Sequence, residues 1–168
     1  RRRAAIAGRS SAISGPFVPL GQRPFSQKDM PTLRGMLRKN GYHTKGVGKY
    51  HVGIDYDNGD GQPASNFYFH DVDFTKPFLD GPTHHGFDEY FGVTGNTEDS
   101  LDTAPRIMIV NDGHGFKERS KMKLIGMTRR ENKILASPDW DLRQLGPLYL
   151  REMLKYLDQR STHADAPF

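Results

Sequence analysis

The chain has 168 residues, of which 35% are hydrophobic and 26% charged, with 18 glycines, 11 prolines and a formal net charge of +4. That length supports one domain with a lean core, or a piece of a larger one, and an aromatic content of 11% argues against a disordered polypeptide. With no cysteine the segment holds no disulfide, zinc finger or thiolate metal site, and no apolar run is long enough to cross a membrane.

The basic excess is local. It gathers in Arg1-Arg2-Arg3 and in the stretch from Lys117 to Arg130, so it forms no continuous basic face, and no recognition-helix or RNA-binding signature accompanies it. The chain opens on Arg1 without methionine and closes on "HADAPF", which predicts a segment cut at both ends. A missing signal peptide then carries no information.

In chain order, "RRRAAIAGR" (1 to 9) reads as a short helix closed by Gly8, and residues 10 to 30, with three prolines and two glycines, read as a surface loop. In "MPTLRGMLRKNGY", Pro31 and Thr32 suit a helix start and Asn40-Gly41 its end. Leu33, Met36 and Leu37 recur at the spacing of one buried face. A strand is predicted to follow in "HTKGVGKYHV", giving half of an α/β unit. Period-2 alternation then delivers Lys49 and His51 to one face at the strand's far end, where ligands bind in such folds.

Residues 54 to 82 read as short strands or an extended excursion. The acids of "DNGDG" invite a calcium site, but the closing glutamate of an EF-hand is absent, and a solvated turn is the simpler reading. "APRIMIVNDG" (104 to 113) is a strand ended by a turn. "HGFKERSKMKLIGMTRRENK" is polar and poorly periodic, an excursion. A final helix runs through "LYLREMLKYL", with Pro147 in its first turn and Leu150, Met153, Leu154 and Leu157 as a core stripe.

Few residues offer chemistry. Lys49 and His51, between glycines in "GKYHVG", suit an anionic group: the ammonium is a point charge, and the imidazole donates a hydrogen bond or exchanges a proton near neutral pH. The same spacing also decorates ordinary strand ends. His84 and His85 are adjacent, and neighbours on a strand point to opposite faces, so a structural hydrogen bond suits them better than a shared metal. Asn111-Asp112 could offer oxygens to a hard cation or make an ordinary turn.

Four blocks resemble the sulfatases. "TLRGMLRKNGYHTKGVGKYHVG" (32 to 53) is similar to that family's second signature, with Tyr50 and Val52 in place of its usual tryptophan and leucine. "HGFDEYFG" (85 to 92), "SLDTAPRIMIVND" (100 to 112) and the helix before "APF" follow in the family's order. The family's first signature is Cys or Ser, any residue, Pro, any residue, Arg, then a Gly-Arg pair. Counting back from Gly8-Arg9 aligns Arg2 with its arginine, with Ala7 where threonine is usual.

The resemblance implies an α/β fold with a mixed sheet flanked by helices, alkaline-phosphatase-like, residues 1 to 168 being an early part of one catalytic domain. It implies hydrolysis of a sulfate ester through a formylglycine made upstream of residue 1. A Ca2+ or Mg2+ ion would be held by ligands outside this segment, so no metal ligand is assigned within it. Arg2 would steady the aldehyde hydrate, Lys49 would bind the sulfate and His51 would hydrogen-bond the hydrate. The segment alone would be inactive. The implied partner is a sulfated small molecule or glycan, with no nucleic acid and no membrane span, and the family's habit suggests a periplasmic, secreted or lysosomal home. The alternatives are a phosphodiesterase or phosphonate hydrolase of the same superfamily and a non-catalytic anion-binding protein. A basic nucleic-acid-binding segment ranks last, since it lacks aromatic platforms among its cations.

Overall fold

The computed structural model describes residues 30–64, 71–95, 106–111, 113–114, 123–127, 133–162 and 167–168. The helix expected over 1–9, most of the loop after it, and Arg2 lie outside the described residues.

Helix α1 spans Leu33–Lys39. Its start is fixed by Thr32, whose extended backbone frees Oγ1 to accept from Gly35 N at 3.0 Å, while the same hydroxyl donates to His85 O at 3.0 Å. Its end is a Schellman turn: Gly41 N donates to Arg38 O, Tyr42 N donates to Leu37 O, and Gly41 takes the left-handed φ of 83° that this closure needs. The expected buried face of α1 is corrected here. Leu33 is 61% and Met36 54% exposed, and no residue of the helix is buried. The helix is anchored instead by the Thr32 hydroxyl and by Arg34, whose guanidinium lies 4.8 Å from the Phe87 ring centroid.

Strand β1 (Lys45–Lys49) pairs in parallel with β2 (Glu89–Val93), β2 pairs antiparallel with β3 (Met108–Val110), and β3 pairs antiparallel with β4 (Gly113–His114). The sheet order follows the chain, β1-β2-β3-β4, and the sheet is mixed, as expected. A second, two-stranded sheet joins β5 (Lys123–Met127) to β6 (Lys133–Ala136). These two strands correct the reading of this region as an excursion. A register shift between Ile125 and Met127 interrupts the alternation that would have announced them.

The long helix α2 (Leu145–Ser161) packs on β1 and β2. Its expected core stripe is also corrected: Leu150, Leu154 and Leu157 are 61%, 56% and 43% exposed, and Met153 is half-buried. The packed face carries Tyr149, Glu152 and Tyr156, more than a third of a turn around the helix from the leucines. Tyr149 meets Phe91 edge-on, and Lys45 reaches Glu152. Successive residues of β2 face opposite sides, so Phe91 serves α2 while Tyr90 turns to the other layer, where it meets Phe87 and Tyr50. Helix α2 thus covers one face of the sheet, and the rings of Tyr50, Phe87 and Tyr90 gather on the other.

The main core is Tyr50, Val52, Ile54 and Tyr56 after β1, joined by Ala64, Val72, Phe74, Phe78, Tyr90, Ile107 and Ile109. Segment 54–82, expected as an excursion, is therefore central to the core. Its described residues, 54–64 and 71–82, make turns and the isolated pairings Asp55 to Asp80 and Asp57 to Pro63, and they fill space with the rings of Tyr56, Phe74 and Phe78. The "DNGDG" acids form a turn held from within: Asp57 Oδ1 accepts from Gly59 N at 2.6 Å and Gly61 N at 3.1 Å.

Candidate functional site

Lys49 closes β1 and His51 follows two residues on. Pairing with β2 continues past the strand's end, since Tyr50 N donates to Val93 O at 2.9 Å and His51 N to Thr94 O at 3.1 Å. Burial alternates along this run: Lys49 is exposed, Tyr50 buried, His51 half-buried and Val52 buried. Neither the cation nor the imidazole belongs to the core, whose residues Tyr50 and Val52 alternate with them. Regular strand geometry does not reach His51, which has φ 42°, while Gly48 before the pair has φ 126° and Gly53 after it φ 90°. The pair sits on backbone shaped by glycine, at the carboxyl end of a parallel strand.

That backbone is held from β2. Gly46 lies opposite Tyr90 in the register, and Gly48 opposite Gly92. A Cβ on Gly46 would meet the Tyr90 ring at 2.6 Å, and a Cβ on Gly92 would meet Gly48 O at 1.7 Å. The Tyr90 ring lies over Gly46, and its hydroxyl donates to Gly48 O at 2.8 Å. Burial pushes the phenols of Tyr50 and Tyr90 far above their ordinary range, so both stay protonated. Burial also lowers the Arg34 guanidinium from its usual value.

The histidine pair is structural and lies on a 3-10 turn (Pro82–His85), not on a strand. His84 Nδ1 accepts from Gly81 N at 3.1 Å. His85, its side chain 1% exposed, places Nε2 2.9 Å from Asp80 Oδ1. A groove of about 1010 Å³ between α1 and this turn is lined by Leu33, Met36, Arg38, Thr83 and His84, away from Lys49 and His51. Asn111 makes a turn, as the simpler reading had it: with φ 57° it turns β3 into β4, donates from its N–H to Tyr90 O at 2.7 Å and accepts at Oδ1 from Tyr90 N at 3.0 Å. Asp112 lies outside the described residues.

Sequence reasoning missed Tyr90. The signal was present in "KGVGK" and "YFG", since glycine inside a strand marks close approach of a ring or another backbone. Among the described residues no three His, Cys, Asp or Glu side chains gather to hold a metal ion.

No family model and no curated protein matches the chain. Its structure is similar to a solved Bacteroides thetaiotaomicron structure described as "Metabolism of multiple glycosaminoglycans by bacteroides thetaiotaomicron is orchestrated by a versatile core genetic locus (BT33336S-sulf)". The TM-score is 0.63 at 15% identity, over 90% of this chain and 35% of that one. The likeness is one of fold, to a part of a bacterial sulfatase, and the chain spans about a third of that protein's length.

Proposed function

We propose that the chain is an early part of the catalytic domain of a sulfuric ester hydrolase, and that Lys49 and His51 contact the sulfate group. One observation carries this reading: a lysine and a histidine two residues apart, neither in the core, follow the carboxyl end of a parallel strand in a fold similar to part of a sulfatase. Lys49 binds the sulfate oxygens as a point charge, and His51 hydrogen-bonds or exchanges a proton beside them. In this reading Arg2 supports a formylglycine upstream of residue 1, and a calcium or magnesium ion takes its ligands from outside the segment. The substrate is a sulfated small molecule or a sulfated glycan, the latter in keeping with the glycosaminoglycan context printed for the structural neighbour.

The test uses the complete polypeptide that carries this sequence, assayed in parallel on an aryl sulfate and an aryl phosphate. Preferential sulfate hydrolysis, abolished in a folded Lys49→Ala variant, supports the reading. Preference for the phosphate moves the chain to phosphoester chemistry. An unchanged rate in Lys49→Ala removes Lys49 from the site.

A further inference from the structure

The Lys49 and His51 backbone owes its course to Gly48, whose φ of 126° is open to glycine and disfavoured for other residues. The Gly48 carbonyl is held from one direction by the Tyr90 hydroxyl at 2.8 Å and crowded from another by Gly92, where a Cβ would stand 1.7 Å from it. Tyr90 is itself immobilised. Its side chain is 4% exposed, its ring contacts Tyr50 edge-on at 5.5 Å and Phe87 at 5.6 Å, and its backbone exchanges two hydrogen bonds with Asn111 in the β3–β4 turn. Tyr50, which lies between the two candidate residues, rests on that same ring.

We infer that Tyr90 is a positioning residue for the anion-contacting pair: its hydroxyl fixes the Gly48 carbonyl and so the direction in which Lys49 and His51 leave the strand. This deepens the proposed sulfate-ester reading and rests on it. Tyr90 touches no substrate in this scheme. It acts through one backbone carbonyl, and the phenol can serve as a lasting donor because burial keeps it protonated across the pH range in which the enzyme would work.

Tyr90→Phe removes the hydroxyl and keeps the ring over Gly46, so it separates positioning from packing. In the complete protein, Tyr90→Phe is expected to leave the melting temperature within a few degrees. Its kcat/KM on an aryl sulfate is expected to fall about tenfold or more, as displacement of binding groups by less than an ångström does. Backbone amide shifts at Lys49 and His51 should move in the same variant, and Gly92→Ala, which displaces the same carbonyl from the other side, should lower kcat/KM in the same direction. A purely structural tyrosine would lower the melting temperature and leave kcat/KM and those two amides unchanged, which overturns the inference. The two levels fail differently. Activity lost in Lys49→Ala but unchanged in Tyr90→Phe overturns the positioning role and leaves the site reading standing, whereas activity unchanged in Lys49→Ala overturns both.

Discussion

Lys45 Nζ lies 2.7 Å from Glu152 Oε1, with 3% of the lysine side chain exposed, so an ammonium withdrawn from water ties α2 to β1. Glu89 Oε2 completes the clamp at 3.0 Å, and the Tyr156 ring covers the ammonium at 5.2 Å. The partners differ in their access to water: Glu152 is 24% and Glu89 37% exposed. Glu152→Ala strands a buried cation with one remaining carboxylate and should cost about 2 kcal/mol. Lys45→Met leaves two acids able to rehydrate and should cost less, about 1 kcal/mol. Urea midpoints at constant m value measure both, and the reverse order would show that the clamp is wetter than its burial implies.

Alkali should loosen the fold through several groups acting in one direction. Burial alone would lower the Lys45 pKa, but its hydrogen bonds to Glu152 and Glu89 outweigh burial and raise it above 10.5. Burial raises Tyr50, Tyr56 and Tyr90 as well. In each case the folded chain keeps its proton to a higher pH than the unfolded chain does. Their contribution is complete below about pH 10, where the unfolded groups are still protonated, and is lost as pH rises toward the folded values. The urea midpoint should stay level through neutral pH and fall above about pH 10. A level midpoint into stronger alkali would mean that these groups reach solvent.

Asp88 gives the opposite limb. Its carboxylate is 20% exposed, and burial, which would raise its pKa, is outweighed by Thr44 N and Oγ1 donating to Oδ2 at 2.8 and 2.9 Å and by Arg38 Nε 2.7 Å from Oδ1. The folded pKa lies below 3.8, so the stabilisation is present above the unfolded value and is lost as pH falls through the folded one. Asp88→Asn should cost about 1 to 2 kcal/mol at neutral pH. The gap between the variant and the parent should close in acid below about pH 4. A gap that persists there would assign the loss to shape instead of charge.

The local grammar of the chain was legible where a single residue type dictates backbone geometry. Thr32 and Gly41 marked both ends of α1, the strand before Lys49 was visible in its sequence, and Asn111 announced a turn. Burial was less legible, because periodicity shows that a helix has an apolar stripe without showing which face the sheet takes. In α2 the sheet takes Tyr149, Glu152 and Tyr156, since Phe91 and the buried Lys45 offer a ring and a charge as partners, and the leucine stripe is left exposed. The core of segment 54–82 was hidden for a related reason. Val72, Phe74 and Phe78 are buried without belonging to a named strand, so neither a helical nor a strand period registers them. The candidate site was legible as a pair of residues, while the tyrosine behind it was written only in glycine spacing.

The reassigned face of α2 gives a direct contrast within one helix. Tyr156 is 5% exposed; its hydroxyl donates to His43 O at 3.0 Å, its ring stacks on His43 at 5.7 Å, and Phe168 meets it edge-on at 6.0 Å. Tyr156→Phe removes the hydroxyl's hydrogen bond to His43 O and its contact with His43 Nδ1 at 3.1 Å, for about 1 to 2 kcal/mol. Tyr156→Ala also opens a cavity beneath α2 and should cost about 3 kcal/mol or more. Leu154, 56% exposed two residues earlier, should tolerate Gln within about 0.5 kcal/mol in this 168-residue chain. Had the leucine stripe been the core, the order would invert, with Leu154→Gln the costlier change and Tyr156→Phe nearly silent. Paired urea titrations of the three variants decide between the two faces.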